Sequence, residues 1–218
     1  MLRAMFSKTG DAVWISHLDL MRLFQRAFKR AGLPLTHSQG FNPRPSVSIA
    51  LPLSVGVESH CELLDFQLDG VEVPVEELRE RLNEKLIPGI RVLSVYDDGM
   101  KLKELGLLRC EVVMEYDRPV PEGAGESVRA LFGRDQLLVE KKGKNGVTEQ
   151  DILPMIRSLL VEASGDAIRF QAVVCCQDPS LNPMQLVAAV ERYLPELSPV
   201  YKKVSRMELF DKNGQPFR

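Results

Sequence analysis

The chain has 218 residues, 44% hydrophobic and 27% charged, with a formal net charge of −2. That length is enough for one large domain or two small ones, each with its own core, and the ordinary composition argues against disorder. The opening run MLRAMFSKTGDAVW has no basic cluster followed by an apolar stretch, and no segment approaches the roughly 18 apolar residues of a membrane helix, so a soluble, cytoplasmic protein without membrane contact is expected.

The first element in chain order is a strand over about residues 2–7. It ends in a turn at Lys8–Asp11, and Val13, Trp14 and Ile15 are expected to continue the strand or pair back. Ser16 is an N-cap for a helix from His17 to about Ala31, which Gly32 and Pro34 terminate. At about 100° per residue, Leu20, Leu23, Phe24, Ala27, Phe28 and Ala31 share one face, while Arg22, Arg26, Lys29 and Arg30 share the other. Residues 33–45 are rich in Gly, Pro and Asn and read as a loop. Val47, Ile49 and Leu51 alternate as a strand, and a further strand is expected over 61–68. Pro74 opens a second helix carrying Val75, Leu78, Leu82 and Leu86, Pro88-Gly89 stops it, and Ile90 to Tyr96 is a strand. This β-α-β-β-α-β order is the ferredoxin-like plan, a name for topology that implies no iron–sulfur cluster.

Residues 97–106 read as a connector, and the pattern then repeats less regularly. A half-buried strand is expected around Cys110–Tyr116, a helix over 124–132 and a strand over 136–141 with a Gly143/Gly146 turn after it. A hairpin over 156–163 and 167–176, a helix from Pro183 capped by Asn182, and a strand over 203–210 complete the series. The fold class expected is α+β, with two ferredoxin-like domains in tandem, 1–100 and 101–218, the second modified.

The cysteines Cys61, Cys110, Cys175 and Cys176 show no C-x-x-C spacing, and three histidines do not supply a metal cluster, so buried reduced thiols are expected and no cofactor or metal. Charge is uneven. Residues 1–60 hold seven Lys and Arg against three acids, a net of +4, and the remainder carries −6. That asymmetry points to an anionic partner for the first segment. In the loop Ser38–Pro45, Gln39, Asn42 and Arg44 offer polar groups, and Gly40 permits close backbone approach. Phe41 either stacks on a base or lies buried beneath a rigid crossover. Arg22, Arg26 and Arg30 form a stripe suited to phosphates, or a solvated helix face in which Asp19 pairs with Arg22 and Arg26. His17 and His37 are the candidate acid–base groups, from which no triad is assembled, and His17 reads first as a helix-start residue against the core. Smaller basic groups occur at Lys141, Lys142 and Lys144, and at Lys202, Lys203 and Arg206.

The runs FSKTGD (6–11), SHLDLMR (16–22), RAGLPL (30–35), SQGFNPRP (38–45) and GVES (56–59), with Asp65, resemble the bacterial radical-SAM-linked protein family, also called domain of unknown function 2344. The resemblance is specific over about the first 70 residues. It implies a functional link to a radical-SAM protein with a cobalamin-binding region, and an association with ribonuclease G and ribosomal genes that points to RNA. The chain carries neither a C-x-x-x-C-x-x-C cluster motif nor a cobalamin motif, so it is not expected to be the radical enzyme. Positions His17, Asp19, Arg22, Ser38, Gln39, Gly40, Phe41, Asn42 and Arg44 match the family's motifs. Tandem ferredoxin-like halves with a Gly-containing loop also resemble CRISPR repeat-RNA endoribonucleases at the level of fold.

The leading expectation is an RNA-binding adaptor that presents ribosomal or transfer RNA to a radical-SAM cobalamin-type partner. Arg22, Arg26, Arg30 and Arg44 are expected on phosphates, and Gln39, Phe41 and Asn42 on a base or nucleotide end. The alternatives are a metal-independent endoribonuclease using His37, with or without His17, and a protein-docking subunit that binds no RNA. A docking helix would be expected to expose apolar residues, and the basic helix reads as exposing none.

Overall fold

The computed structural model describes residues 1–143 and 146–218. The chain is a mixed α/β protein with mostly antiparallel strand pairing and four α-helices among the described residues. It divides into two compact units, Met1–Leu102 together with Arg218, and Lys103–Phe217. Among the described residues, no helix is long and apolar enough to cross a membrane.

The first unit contains β1 (Leu2–Lys8), α1 (His17–Arg30), β2 (Val47–Ile49), β3 (Glu58–Phe66), α2 (Val75–Asn83) and β4 (Ile90–Tyr96). Its strands hydrogen-bond in the order β4-β1-β3-β2. One core joins Ala4 and Phe6 of β1, Leu64 and Phe66 of β3 and Val92 of β4 to Leu20, Phe24, Ala27 and Phe28 of α1 and Leu78 and Leu82 of α2. Phe6 meets Phe24 edge-on with ring centres 4.8 Å apart, and Phe28 meets Phe66 at the same distance. These offset geometries suit the ring quadrupoles.

Local chemistry sets the ends of α1. The Ser16 hydroxyl accepts from the Asp19 amide at 3.2 Å, satisfying a first-turn N–H. At the other end, Gly32 takes φ +67°, its amide donates to the Lys29 carbonyl, and the Leu33 amide reaches back to the Phe28 carbonyl at 3.0 Å. This is a Schellman cap, and it needs a residue that tolerates left-handed backbone. Lys29 and Arg30 in the last turn face the negative end of the helix dipole.

Two local expectations are corrected. Gly10–Trp14 forms a 3₁₀ turn rather than more strand. The turn begins at Gly10, whose φ is +56°, and the Lys8 ammonium donates to the Val13 carbonyl at 2.9 Å. Strand β2 stops at Ile49 and does not include Leu51, which sits at φ +48° before Pro52, a residue with no N–H for a ladder.

The second unit contains β5 (Leu105–Glu115), α3 (Ala124–Phe132), β6 (Leu138–Gly143), β7 (Gly146–Asp151), β8 (Ile156–Ser164), β9 (Ala167–Cys175), α4 (Met184–Tyr193) and β10 (Tyr201–Asp211). Four strands run in the order β10-β5-β9-β8, and β6 and β7 pair only with each other. The turn expected around Gly143 and Gly146, and Lys144 within it, lie outside the described residues. The Asn182 side chain accepts from the Met184 amide at 3.1 Å at the start of α4. Tyr116 donates its hydroxyl to the Leu197 carbonyl at 2.7 Å, and burial pushes its phenol up to about 12.

Candidate functional site

The basic segment looks different in three dimensions from its charge count. Two of its seven cations, Arg3 and Lys8, are buried. Arg3 pairs across the β1–β3 ladder with Asp65 through Nε at 2.6 Å and a second nitrogen at 3.0 Å, and donates also to the Met100 carbonyl at 2.6 Å. Desolvation is the largest influence on Arg3 and opposes its charge, but the hydrogen bonding and charge of Asp65, with a smaller contribution from Tyr96, together outweigh it, so the guanidinium is raised above its ordinary value. Lys8 is 1% exposed, and burial lowers its ammonium despite the opposing pull of Glu62. The surface charge that could meet an anion therefore comes from Arg22, Arg26, Lys29, Arg30 and Arg44, all exposed.

These five are not equivalent. Arg22 pairs with Asp19 at 3.0 Å, and the Asp19 carboxyl is held low first by the Ser16 hydroxyl and then by Arg22. Arg30 donates to the Lys85 carbonyl at 2.6 Å, so part of its fork caps the end of α2. Among the described residues, Arg26, Lys29 and Arg44 make no side-chain hydrogen bond or ion pair. The stripe expected from Arg22, Arg26 and Arg30 thus narrows at its ends, and the part without a hydrogen bond or ion pair is Arg26 with Lys29, Arg26 still acting on Asp19 through its charge.

The 33–45 loop is a narrow hairpin. The Thr36 amide donates to the Gln67 carbonyl at 2.9 Å, the Ser46 amide to Thr36 at 2.7 Å, and the Ser38 amide to Arg44 at 2.8 Å. The Arg44 amide returns a bond to the Ser38 hydroxyl at 3.0 Å, and His37 bridges to Pro45. Gln39, Gly40, Phe41, Asn42 and Pro43 form the exposed tip, and Gly40 takes φ +129°. Phe41 is wholly exposed, which removes the reading in which it caps the core.

A pocket of about 460 Å³ lies between the stem of this hairpin and the C-terminal half of α1. Phe28, Leu33, Pro34, Leu35 and Pro45 supply apolar surface, and Gln25, Arg26, Lys29 and His37 supply the polar groups. No acid lines it. Arg26 also borders a second groove of about 390 Å³ that contains Asp19, Arg22, Arg30 and Ile87. The pocket therefore gathers three residues the sequence singles out, Arg26, Lys29 and His37. It adds Gln25, which sequence reasoning missed because a lone polar residue between the two faces of a helix carries no signal, and the Leu33–Leu35 run, which the sequence reads only as part of the loop.

The two histidines are not brought together. His17 opens α1 with its Nδ1 buried and, among the described residues, without a hydrogen-bond partner. Residues 25–29 of the pocket lie eight to twelve positions along the helix, about 12–18 Å at 1.5 Å per residue. α1 also differs from its sequence reading at its N-terminal end, where Leu18 is 66% exposed and Trp14, just before the helix, is 64% exposed. The Trp14 ring lies so close to Gly56 that an added Cβ would stand 3.3 Å from it. Beside Gly56, Val55 is exposed as well.

Among the described residues, no group of three His, Cys, Asp or Glu is placed to hold a metal ion. In the second unit, Lys202 pairs with Glu191 at 2.8 Å, and Arg192 with Glu149 at 2.7 Å.

Fold and site together define a two-unit α/β protein with a basic, apolar-floored pocket in its first unit. The family model of uncharacterized proteins conserved in bacteria (DUF2344) matches residues 1–183, and the chain belongs to that family. No curated protein matches it. Among solved structures, it is similar to a crystal structure of an unknown protein from Galdieria sulphuraria, at 16% identity over 96% of each chain with a TM-score of 0.27. A score that low carries no argument about fold or function.

Proposed function

We propose that this protein is an RNA-binding adaptor of the cytoplasm that works with a radical-SAM cobalamin-type enzyme on ribosomal or transfer RNA. The observation that carries the RNA half is the acid-free pocket beside α1, with Arg26 and Lys29 at its rim free of hydrogen bonds and ion pairs among the described residues, and with the stem of the hairpin that carries the exposed Phe41 in its wall through His37 and Pro45. Cations without internal partners can meet phosphates with little rearrangement, and exposed aromatic rings stack on unpaired bases. Arg44, Gln39 and Asn42 stand on the same hairpin. The enzyme half rests on the family resemblance, and the exposed Trp14, Leu18 and Val55 give a protein partner apolar surface away from the pocket.

Both units read as ferredoxin-like domains, spanning about 1–100 and 101–218. Each has a β-α-β-β-α-β series with the last strand, the first, the third and the second in that spatial order, and the second domain carries the β6–β7 hairpin as an insertion.

The test is RNA binding by the Arg26→Ala/Arg44→Ala double variant, measured by fluorescence anisotropy across a salt series. Removing two phosphate contacts lowers affinity and reduces the salt slope by about 1.4 for a single strand. A double variant that binds RNA as the wild type does sinks the proposal. A His37-dependent endoribonuclease is the second reading, favoured by His37 in the pocket wall. It requires cleavage in EDTA that disappears in His37→Ala.

A further inference from the structure

We infer that the pocket between α1 and the 36–46 hairpin holds one unpaired nucleotide of the RNA, its base on the Phe28–Leu35 floor and its phosphate against Arg26 and Lys29. The inference rests on the RNA-binding reading and names the element of RNA recognised.

Size is the first support. About 460 Å³ lies within the roughly 300–1,000 Å³ range of small-molecule sites, enough for a single nucleotide and far too small for a helical segment. The distribution of chemistry is the second. A paired base has its faces stacked on its neighbours, whereas an extruded base needs apolar surface to replace that stack. Pro34, Pro45 and the edge of Leu35 provide it, backed by the buried Phe28 and Leu33 beneath them. The two permanent cations belong to one turn of α1, three residues apart, so they project on one side of the pocket, where a single backbone phosphate would lie. Gln25 and His37 are the remaining polar lining groups and are placed to hydrogen-bond a base edge or a ribose hydroxyl. The absence of any lining acid matters because a carboxylate there would repel the phosphate, as Asp19 would in the neighbouring groove.

The hairpin gives the geometry a purpose. Its stem is tied down by the Ser38–Arg44 and Thr36–Ser46 bonds and lines the pocket through His37 and Pro45, and the exposed Phe41 ring stands at the tip, four residues beyond each. A ring so placed can stack on the base that follows the one in the pocket, which favours a single strand over a duplex.

The experiment compares the wild-type protein with Gln25→Trp, which fills the pocket from a half-buried position of α1, and with Arg26→Ala/Lys29→Ala, which removes only surface cations. Circular dichroism verifies that each variant folds. Probes are a short labelled single-stranded RNA, the duplex of the same sequence, and adenosine monophosphate as competitor. The expected result is that the single strand binds more tightly than the duplex, that the mononucleotide competes for it, and that Gln25→Trp weakens single-strand binding about tenfold, the loss of one stacked base. The double variant weakens both probes. If Gln25→Trp binds the single strand within twofold of wild type, the pocket is not the nucleotide site. The RNA-binding proposal then survives as long as Arg26→Ala/Arg44→Ala still loses affinity. If the wild type binds no RNA, that proposal and this inference fall together, and competition-free binding of adenosine monophosphate alone would mark a site for free nucleotides instead.

Discussion

Replacing Asp65 by alanine leaves the Arg3 guanidinium buried without its counter-charge. Side-chain exposures of 8% for Arg3 and 11% for Asp65 place the pair well inside the protein, and the bidentate geometry accounts for two of the guanidinium's bonds. Breaking a buried pair by removing one partner costs about 3–5 kcal/mol, because the survivor stays desolvated without the charge that offset it. The Met100 carbonyl still accepts from Arg3, which sets the expectation toward the lower end of that range. With a urea m-value of about 2 kcal/mol/M, the unfolding midpoint should fall by roughly 1.5–2.5 M. The companion Arg3→Met/Asp65→Leu replaces the pair with apolar groups of similar size and should recover most of that loss. Equilibrium urea unfolding of wild type, single and double variants gives the cycle. A loss under about 1 kcal/mol for Asp65→Ala, or a double variant no more stable than the single, would show that solvent screens the pair as it screens a surface bridge, and would refute the reasoning.

Gly89→Ala should cost about 2 kcal/mol or more in thermal unfolding, because φ is +85° there and the new Cβ would lie 2.9 Å from that of Ala12. Gly70→Ala, at φ +62° with open space around it, should cost only about 1 kcal/mol, and equal losses would count against the close approach. Burial pushes the Cys110 thiol up to about 12 and that of Cys176 up to about 11, so neither should react quickly with a thiol reagent in the native protein at mildly alkaline pH. All four cysteines should react once guanidinium unfolds the chain, and fast native labelling of either residue would contradict its burial. Tyr116→Phe should cost about 1 kcal/mol at neutral pH through the lost bond to Leu197. The unfolded phenol ionises near pH 10 and the folded one near 12, so the wild type's advantage should be full below pH 10 and shrink as pH rises toward 12; a gap that widens over that window would reverse the assignment.

Periodicity and punctuation made much of the fold legible. The 3.6-residue spacing of Leu20, Phe24, Ala27 and Phe28, the Ser16 cap and Gly32 define α1, and similar signals place α3 at Ala124–Phe132 and the β8–β9 hairpin around Ser164–Ala167. These are local features, set by side chains within a few residues of one another. The Gly10–Trp14 turn escaped the sequence because it depends on what Lys8 and Thr9 meet across the sheet: the Thr9 amide donates to the Gly89 carbonyl, eighty residues away. The candidate residues were legible as types, and of their engagements only the Asp19–Arg22 pair, set by its i, i+3 spacing, was legible as well. Composition alone counts Arg3, Lys8, Arg22 and Arg26 as equal positive charges. Tertiary structure buries the first two, one against Asp65 and one near Glu62, pairs the third with Asp19 and leaves the fourth without a hydrogen bond or ion pair among the described residues. The pocket belongs wholly to that second level, since Phe28 reads as core and Leu35 and Pro45 as loop until α1 and the hairpin stem are set side by side. The chain's own pattern determined which elements form and which residue types lie near one another in sequence. Only packing, which decides desolvation and pairing among residues far apart in the chain, determined which charges remain available to a partner.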